Sequence, residues 1–306
     1  MKPKVVVVGS ANTDMVVQVD AIPRLGETVL GGKFVKTQGG KGANQAVSAS
    51  RLGAEVVFVA RIGRDTFGQS SVAAYQVEGI NTDFIIWDDD VPSGVALIMI
   101  NRNGENIIAV APGANRRLSP ADVQAAESVF QTADAVLVQL EIPLEAVQTA
   151  VDLARKHHAR VILNPAPAIY LPDLILRSVD FLTPNESELA ILAGTLSIQE
   201  GNRARAYAEQ IGVQALIVTM GAKGAVVIAE GTEHLVPGYR VKAIDSVAAG
   251  DAFNGALAVA LSRGETLWDA VRYANAVGAL SVTRAGAQPS LPTFEEVRWF
   301  LELAGE

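Results

Sequence analysis

Val5-Val6-Val7-Val8-Gly9-Ser10-Ala11-Asn12-Thr13-Asp14 stands near the start of a chain of 306 residues. Four valines in a row read as a strand buried on both faces, because a half-exposed strand would alternate apolar with polar residues. The polar residues after it lie where open α/β sheets bind ligands, outside the carboxyl ends of the strands. An ordinary Asn/Asp turn would use the same residues. Downstream the pattern repeats. Strand Val56–Ala60 precedes helix Phe67–Val77, helix Ala121–Phe130 leads to strand Ala135–Leu140, and helix Leu144–His157 to strand Arg160–Leu163. Helix Leu171–Leu176 leads to strand Asp180–Leu182, and helices Glu186–Ala193 and Arg203–Ile211 to strand Ala215–Thr219. Such alternation predicts an α/β fold: a doubly wound, mostly parallel sheet flanked by helices, in a single domain over residues 1–306.

Two patches break the alternation. Short β-type pieces at Val16–Val19, Thr28–Leu30 and Lys33–Thr37 are separated by Pro23, Gly26 and Gly31-Gly32. Farther on, Val95–Ile100 and Asn106–Val110 flank Asn103-Gly104, a strong hairpin signal. Together, about 13–38 and 93–112 predict a small β-sheet projecting from the domain, as a lid, a dimer surface or both.

Net charge is −8 and the basic residues are scattered, which argues against a nucleic-acid or anionic-membrane partner. Cysteine is absent, excluding disulfides and thiolate chemistry. The first apolar run is too short for a secretion signal or a membrane span, so a cytoplasmic protein is expected.

Residues with chemical potential gather at strand ends. Gly39-Gly40-Lys41-Gly42-Ala43-Asn44-Gln45 opens a helix, but a Walker loop would need glycine at Val35 and Ser or Thr at Gly42. The glycines instead suit close approach of backbone to a polar ligand. Asp245-Ser246-Val247-Ala248-Ala249-Gly250-Asp251-Ala252-Phe253-Asn254-Gly255 joins an extended segment, Tyr239–Ile244, to a helix with Phe253, Leu257 and Leu261 on one face. Its small residues free backbone N–H groups for an anion at the helix N-terminus. Asp251 reads either as an acid suited to the helix dipole or as a base beside that anion hole. Asn185 and Glu188 read either as a capping box or as ligands of a hydrated Mg²⁺. Helices then run to about Thr283, with a break near Gly264, and a last one starts near Phe294.

These segments resemble the ribokinase family of carbohydrate kinases from Val5 to Ser290. The block at 39–45 and the Asp-x-x-Ala-Ala-Gly-Asp-x-Phe-Asn-Gly signature at 245–255 carry the likeness, supported by Asn12–Asp14, Gln139–Glu141, Asn164–Pro167, Asn185–Glu188 and Gly286–Ser290. The resemblance implies ATP-dependent phosphorylation of ribose at O5. Deoxyribokinase, or another sugar or nucleoside kinase of the family, is the alternative. It implies a sugar site of Asn12, Thr13, Asp14, Gly40, Lys41, Gly42, Ala43, Asn44, Glu141 and Asp251. Asp251 would be the base, with an anion hole at Ala248, Ala249 and Gly250. ATP would meet Asn185, Thr219, Met220, Gly221, Ala222, Lys223, Gly224, Gly250 and Asn275, with Glu188 organising Mg²⁺. Asn275 departs from a histidine at that place in the family. Asp245, Val247, Ser281, Arg284, Gly286 and Ser290 would hold K⁺, mostly through carbonyls. A homodimer through the lid is implied as well.

Overall fold

The computed structural model describes residues 2–194 and 203–305. Its strands, in chain order, are β1 (Lys4–Val8), β2 (Asn12–Gln18), β3 (Lys33–Gly39), β4 (Glu55–Gly63), β5 (Ile85–Asp88), β6 (Gly94–Ile100) and β7 (Asn106–Ala111). There follow β8 (Ala135–Val138), β9 (Arg160–Leu163), β10 (Phe181–Leu182), β11 (Ala215–Thr219), β12 (Gly224–Ala229) and β13 (Thr232–Pro237). Among the described residues nine strands form one sheet in the order β13-β12-β11-β10-β9-β8-β1-β4-β5, parallel except for the antiparallel β11-β12-β13 edge. The four remaining strands form a separate sheet, β3-β2-β6-β7.

The valine run sits at the centre of the large sheet, paired with β4 on one side and β8 on the other. Its side chains alternate between two cores: Val5 and Val7 pack under one helical layer, Val6 and Val8 under the other. All four are at most 2% exposed. Burial on both faces explains why the run is continuous. No described helix is long and apolar enough to cross a membrane.

Several boundaries differ from expectation. Asn12–Asp14 are not a loop after β1: only Gly9–Ala11 turn, and Asn12 already begins β2. Thr28–Leu30 forms no strand, since Gly31 and Gly32 both take positive φ and Leu30 is fully exposed. The segment Tyr239–Ile244 is irregular; the strand lies upstream at β13, after a turn through Glu230 and Gly231 at positive φ. The helix expected over 121–130 divides at Ala126 into Pro120–Ala125 and Glu127–Phe130.

Helices Lys41–Arg51 and Ala249–Ser262 pack against each other beneath the large sheet, and their contact brings residues 44–45 to residue 251. Gly255 permits that closeness. A methyl group on it would come within 2.6 Å of Ser48 Cβ and 2.9 Å of the Gln45 carbonyl oxygen. Gly255→Ala gains about 1 kcal/mol of helix propensity, but overpacking of this kind costs about 1–3 kcal/mol. Urea unfolding is expected to show a net loss of stability; an unchanged or raised midpoint would mean that the two helices have room to spare.

Candidate active site

The first turn of helix Lys41–Arg51 is pressed against the end of β1. The Ala43 N–H donates to the Ser10 carbonyl at 2.9 Å, and a side chain on Gly42 would stand 2.5 Å from the Ser10 nitrogen. Only glycine fits at 42, which accounts for that part of the 39–45 block. Glu141, just beyond β8, is drawn into the same place: one carboxylate oxygen accepts from Ser10 Oγ at 2.5 Å and from the Lys41 N–H at 3.1 Å. Asp14 is 7% exposed, its carboxylate filling the space that a Gly39 side chain would take.

Asp251 is buried as deeply as Asp14. Its Oδ2 accepts from Asn44 Nδ2 and its Oδ1 from Gln45 Nε2, both at 2.9 Å. It therefore does not cap its own helix. The N-cap is Ala248, held at φ 61° with no side-chain cap, and the Ala249 N–H makes a long bond of 3.3 Å to the Ser246 carbonyl. A chain of buried amides braces the arrangement. Gln139 donates to Gln45 Oε1 at 2.6 Å, and Gln45 also reaches Asn164 Oδ1 at 3.1 Å. Asn164 donates to the Thr183 carbonyl, Thr183 to Asn254 Oδ1, and Asn254 back to the Gly250 carbonyl.

A cleft of about 200 Å³ opens here, lined by Lys41, Asn164, Ala166, Thr183, Asn185, Glu188, Thr219, Ser246, Ala248, Ala249, Gly250, Asp251 and Asn254. Burial raises the Asp251 pKa; Lys41, Asn44 and Gln45 oppose that rise, and Glu141 adds to it. Burial, then the charges of Glu141 and Asp251, push Asp14 up to about 7. Glu188 is raised by burial, against the Asn185 N–H and Lys41. Burial works to lower the Lys41 pKa, but Asp251, Glu141 and Glu188 more than reverse it. Lys41 is thus a firm cation among carboxylates.

Asn185 and Glu188 do form the capping box: Asn185 Oδ1 accepts from the Glu188 N–H and Glu188 Oε2 from the Asn185 N–H, each at 2.8 Å. Both also line the cleft, so one reading does not displace the other. Of the Thr219–Gly224 turn, Thr219 alone lines it. Asn275 lies outside that lining, with its Nδ2 committed to the carbonyls of Val236 and Pro237 at 3.0 and 3.2 Å. Asp245 gathers two loops, accepting from the Val247 N–H at 3.0 Å and the Gly286 N–H at 2.8 Å. Ser281 is tied to Arg284 by a backbone bond, Arg284 pairs with Glu296, and Ser290 closes the turn begun at Ala287. Gln45, Asn115, Asn164, Thr183 and Asn254 had no individual role in the sequence reading. The Gln45 and Asn164 segments were visible there; for Asn115 there was no local signal.

The model for pfkB family carbohydrate kinases matches residues 2–294. This chain belongs to the pfkB family of carbohydrate kinases. It is 40% identical over 306 residues to the ribokinase of Haemophilus influenzae, covering 99% of this chain and 100% of that one. To the deoxyribokinase of Salmonella typhi it is 37% identical over 303 residues, covering 98% and 99%. The structure of Arabidopsis thaliana ribokinase complexed with ribose and ATP matches with a TM-score of 0.89 at 32% identity, over 99% of each chain. The chain is accordingly a kinase.

Asp14 gives a pH prediction. A carboxyl whose pKa is higher folded than unfolded binds its proton more tightly in the folded state, so it favours folding below the unfolded value. That advantage is lost as pH rises from 3.8 to about 7. Asp14→Asn should therefore stabilise the fold at pH 8 by up to about 4 kcal/mol and do little at the acid end of that window. Denaturant unfolding at both ends checks this, and equal effects at the two would contradict it.

Proposed function

We propose that this kinase transfers the γ-phosphoryl group of ATP to O5 of ribose. The observation that carries the reading is Asp251: a buried carboxylate, held by Asn44 and Gln45, in the first turn of a helix whose uncapped N-terminus lines the cleft. The similarity to ribokinases at up to 40% identity supports ribose, and the Arabidopsis complex supports ribose with ATP. A second reading, 2-deoxyribose, is supported by the Salmonella relative. Comparing kcat/KM for the two sugars separates them.

In this reading Asn12, Asp14, Asn44 and Glu141 hold the sugar hydroxyls and Asp251 receives the O5 proton. Its raised pKa makes it a stronger base than an exposed aspartate, and little proton transfer is needed early in a loose phosphoryl transfer. The backbone N–H groups of Ala248, Ala249 and Gly250, with Lys41, face the charge on the transferring group. Asn185, Thr219 and Glu188 contact the nucleotide side. Asn185 and Glu188 are oxygen donors whose capping bonds leave them room to bind Mg²⁺ through water, and the ion would neutralise phosphate charge. A K⁺ beside Asp245 would rest mostly on the carbonyls of Val247, Ser281, Arg284, Gly286 and Ser290. Asp245 fits that role because it already gathers these loops ahead of the anion hole.

The small sheet serves as a lid that excludes water from the sugar. It exposes Phe34, Leu97 and Ile107 on one face and Ile108 and Val110 on the other, each at least half exposed, and a second copy would cover one of these faces.

Asp251→Asn keeps the size and one of the two amide contacts while removing the base. Turnover is expected to fall more than ~10²-fold, with ribose and ATP still bound in calorimetry. Wild-type turnover in the variant would remove Asp251 from the mechanism.

A further inference from the structure

The small sheet joins the body of the protein along one short row. Asn12 begins β2, Gly94 begins β6 directly opposite it in register, and Asn115 follows β7 in the 3₁₀ turn Gly113–Arg117. Asn115 is 2% exposed. Its Oδ1 accepts from the Ala11 N–H at 2.9 Å, and its Nδ2 donates to the Ala11 carbonyl at 3.1 Å and to Asn12 Oδ1 at 2.8 Å. Gly94 lacks a side chain because this pair fills the space: a Cβ there would lie 2.1 Å from Asn12 Oδ1 and 2.4 Å from Asn115 Nδ2.

The two ends of a carboxamide are told apart by their partners. For Asn115 those partners are backbone. The Ala11 N–H can only donate and the Ala11 carbonyl can only accept, so Oδ1 must face the first and Nδ2 the second. The other hydrogen of Nδ2 then needs an acceptor, and the Asn12 atom that meets it must be oxygen. Asn12 is left with Nδ2 to offer. We infer that Asn115 is a positioning residue for sugar recognition, fixing Asn12 so that its Nδ2 donates to a hydroxyl oxygen of the sugar. This rests on the proposed contact between Asn12 and sugar. It also places the control of that contact at the point where the lid strands leave the domain.

Asn115→Asp preserves size and the bond from the Ala11 N–H but replaces the donor with an acceptor. Asn12 then turns over to donate to the introduced carboxylate and shows oxygen to the sugar. Steady-state kinetics on wild type, N115D, N12A and the N12A/N115D double variant test this. N115D should raise KM for ribose about tenfold, the worth of one hydrogen bond, while KM for ATP stays within about twofold. On the N12A background it should add nothing further. Additive effects of the two substitutions, or equal rises in both KM values, would overturn the inference, because they mark general structural support. Failure of the wild type to phosphorylate any pentose would instead sink the proposed function, and this inference with it. Should N115D not fold, the ribose-bound crystal structure of the wild type decides. A sugar oxygen on Asn12 Nδ2 with the Asn115 bond intact supports the inference, and a sugar oxygen on Oδ1 with that bond broken overturns it.

Discussion

Asp251 is 6% exposed, and each of its oxygens meets one amide from the facing helix, Asn44 Nδ2 and Gln45 Nε2. A buried carboxylate without such partners costs far more than one hydrogen bond returns. The packing of helices Lys41–Arg51 and Ala249–Ser262 is therefore fixed by a polar need as well as an apolar one. Gly255 lets the helices approach, Gly42 lets the first of them reach β1, and the Gln139–Gln45–Asn164 amides hold the carboxylate's partners in place. A small shift of either helix would leave a buried charge unpaired.

The same burial sets the electrostatics. Asp14, Asp251 and Glu188 all have raised pKa values, and Lys41 is the cation that opposes the rise at Asp251 and at Glu188. The cleft is thus crowded with acid before any phosphate enters it. In the proposed reaction, tolerance of a polyphosphate would come from Lys41, from the helix N-terminus and from cations accompanying the nucleotide.

Much of the architecture was legible because the central strands are buried on both faces. Val5–Val8 could not be read as anything half exposed, and the parallel order followed from the alternation around it. β5 and β13 were not legible. Both lie at edges of the large sheet, and β13 is antiparallel after a two-residue turn, which a β–α rhythm does not announce. The site divides in the same way. Glycines and acids at strand ends announce themselves locally, whereas a buried amide is defined by partners far away in the chain. Gln45 reaches Asp251 across 206 positions and Asn115 reaches Ala11 across 104. Nothing around Asn115 distinguishes it from a loop asparagine until the fold closes.

In the proposed reaction one cleft aligns ATP with O5 of ribose through Asp251. Phosphorus NMR of the wild-type protein incubated with ribose, ATP, Mg²⁺ and K⁺ tests it most directly. ADP and a phosphate ester on O5 of ribose are expected to appear in equal amounts. An ester on another oxygen, or ATP hydrolysed to inorganic phosphate with the sugar left intact, would contradict it.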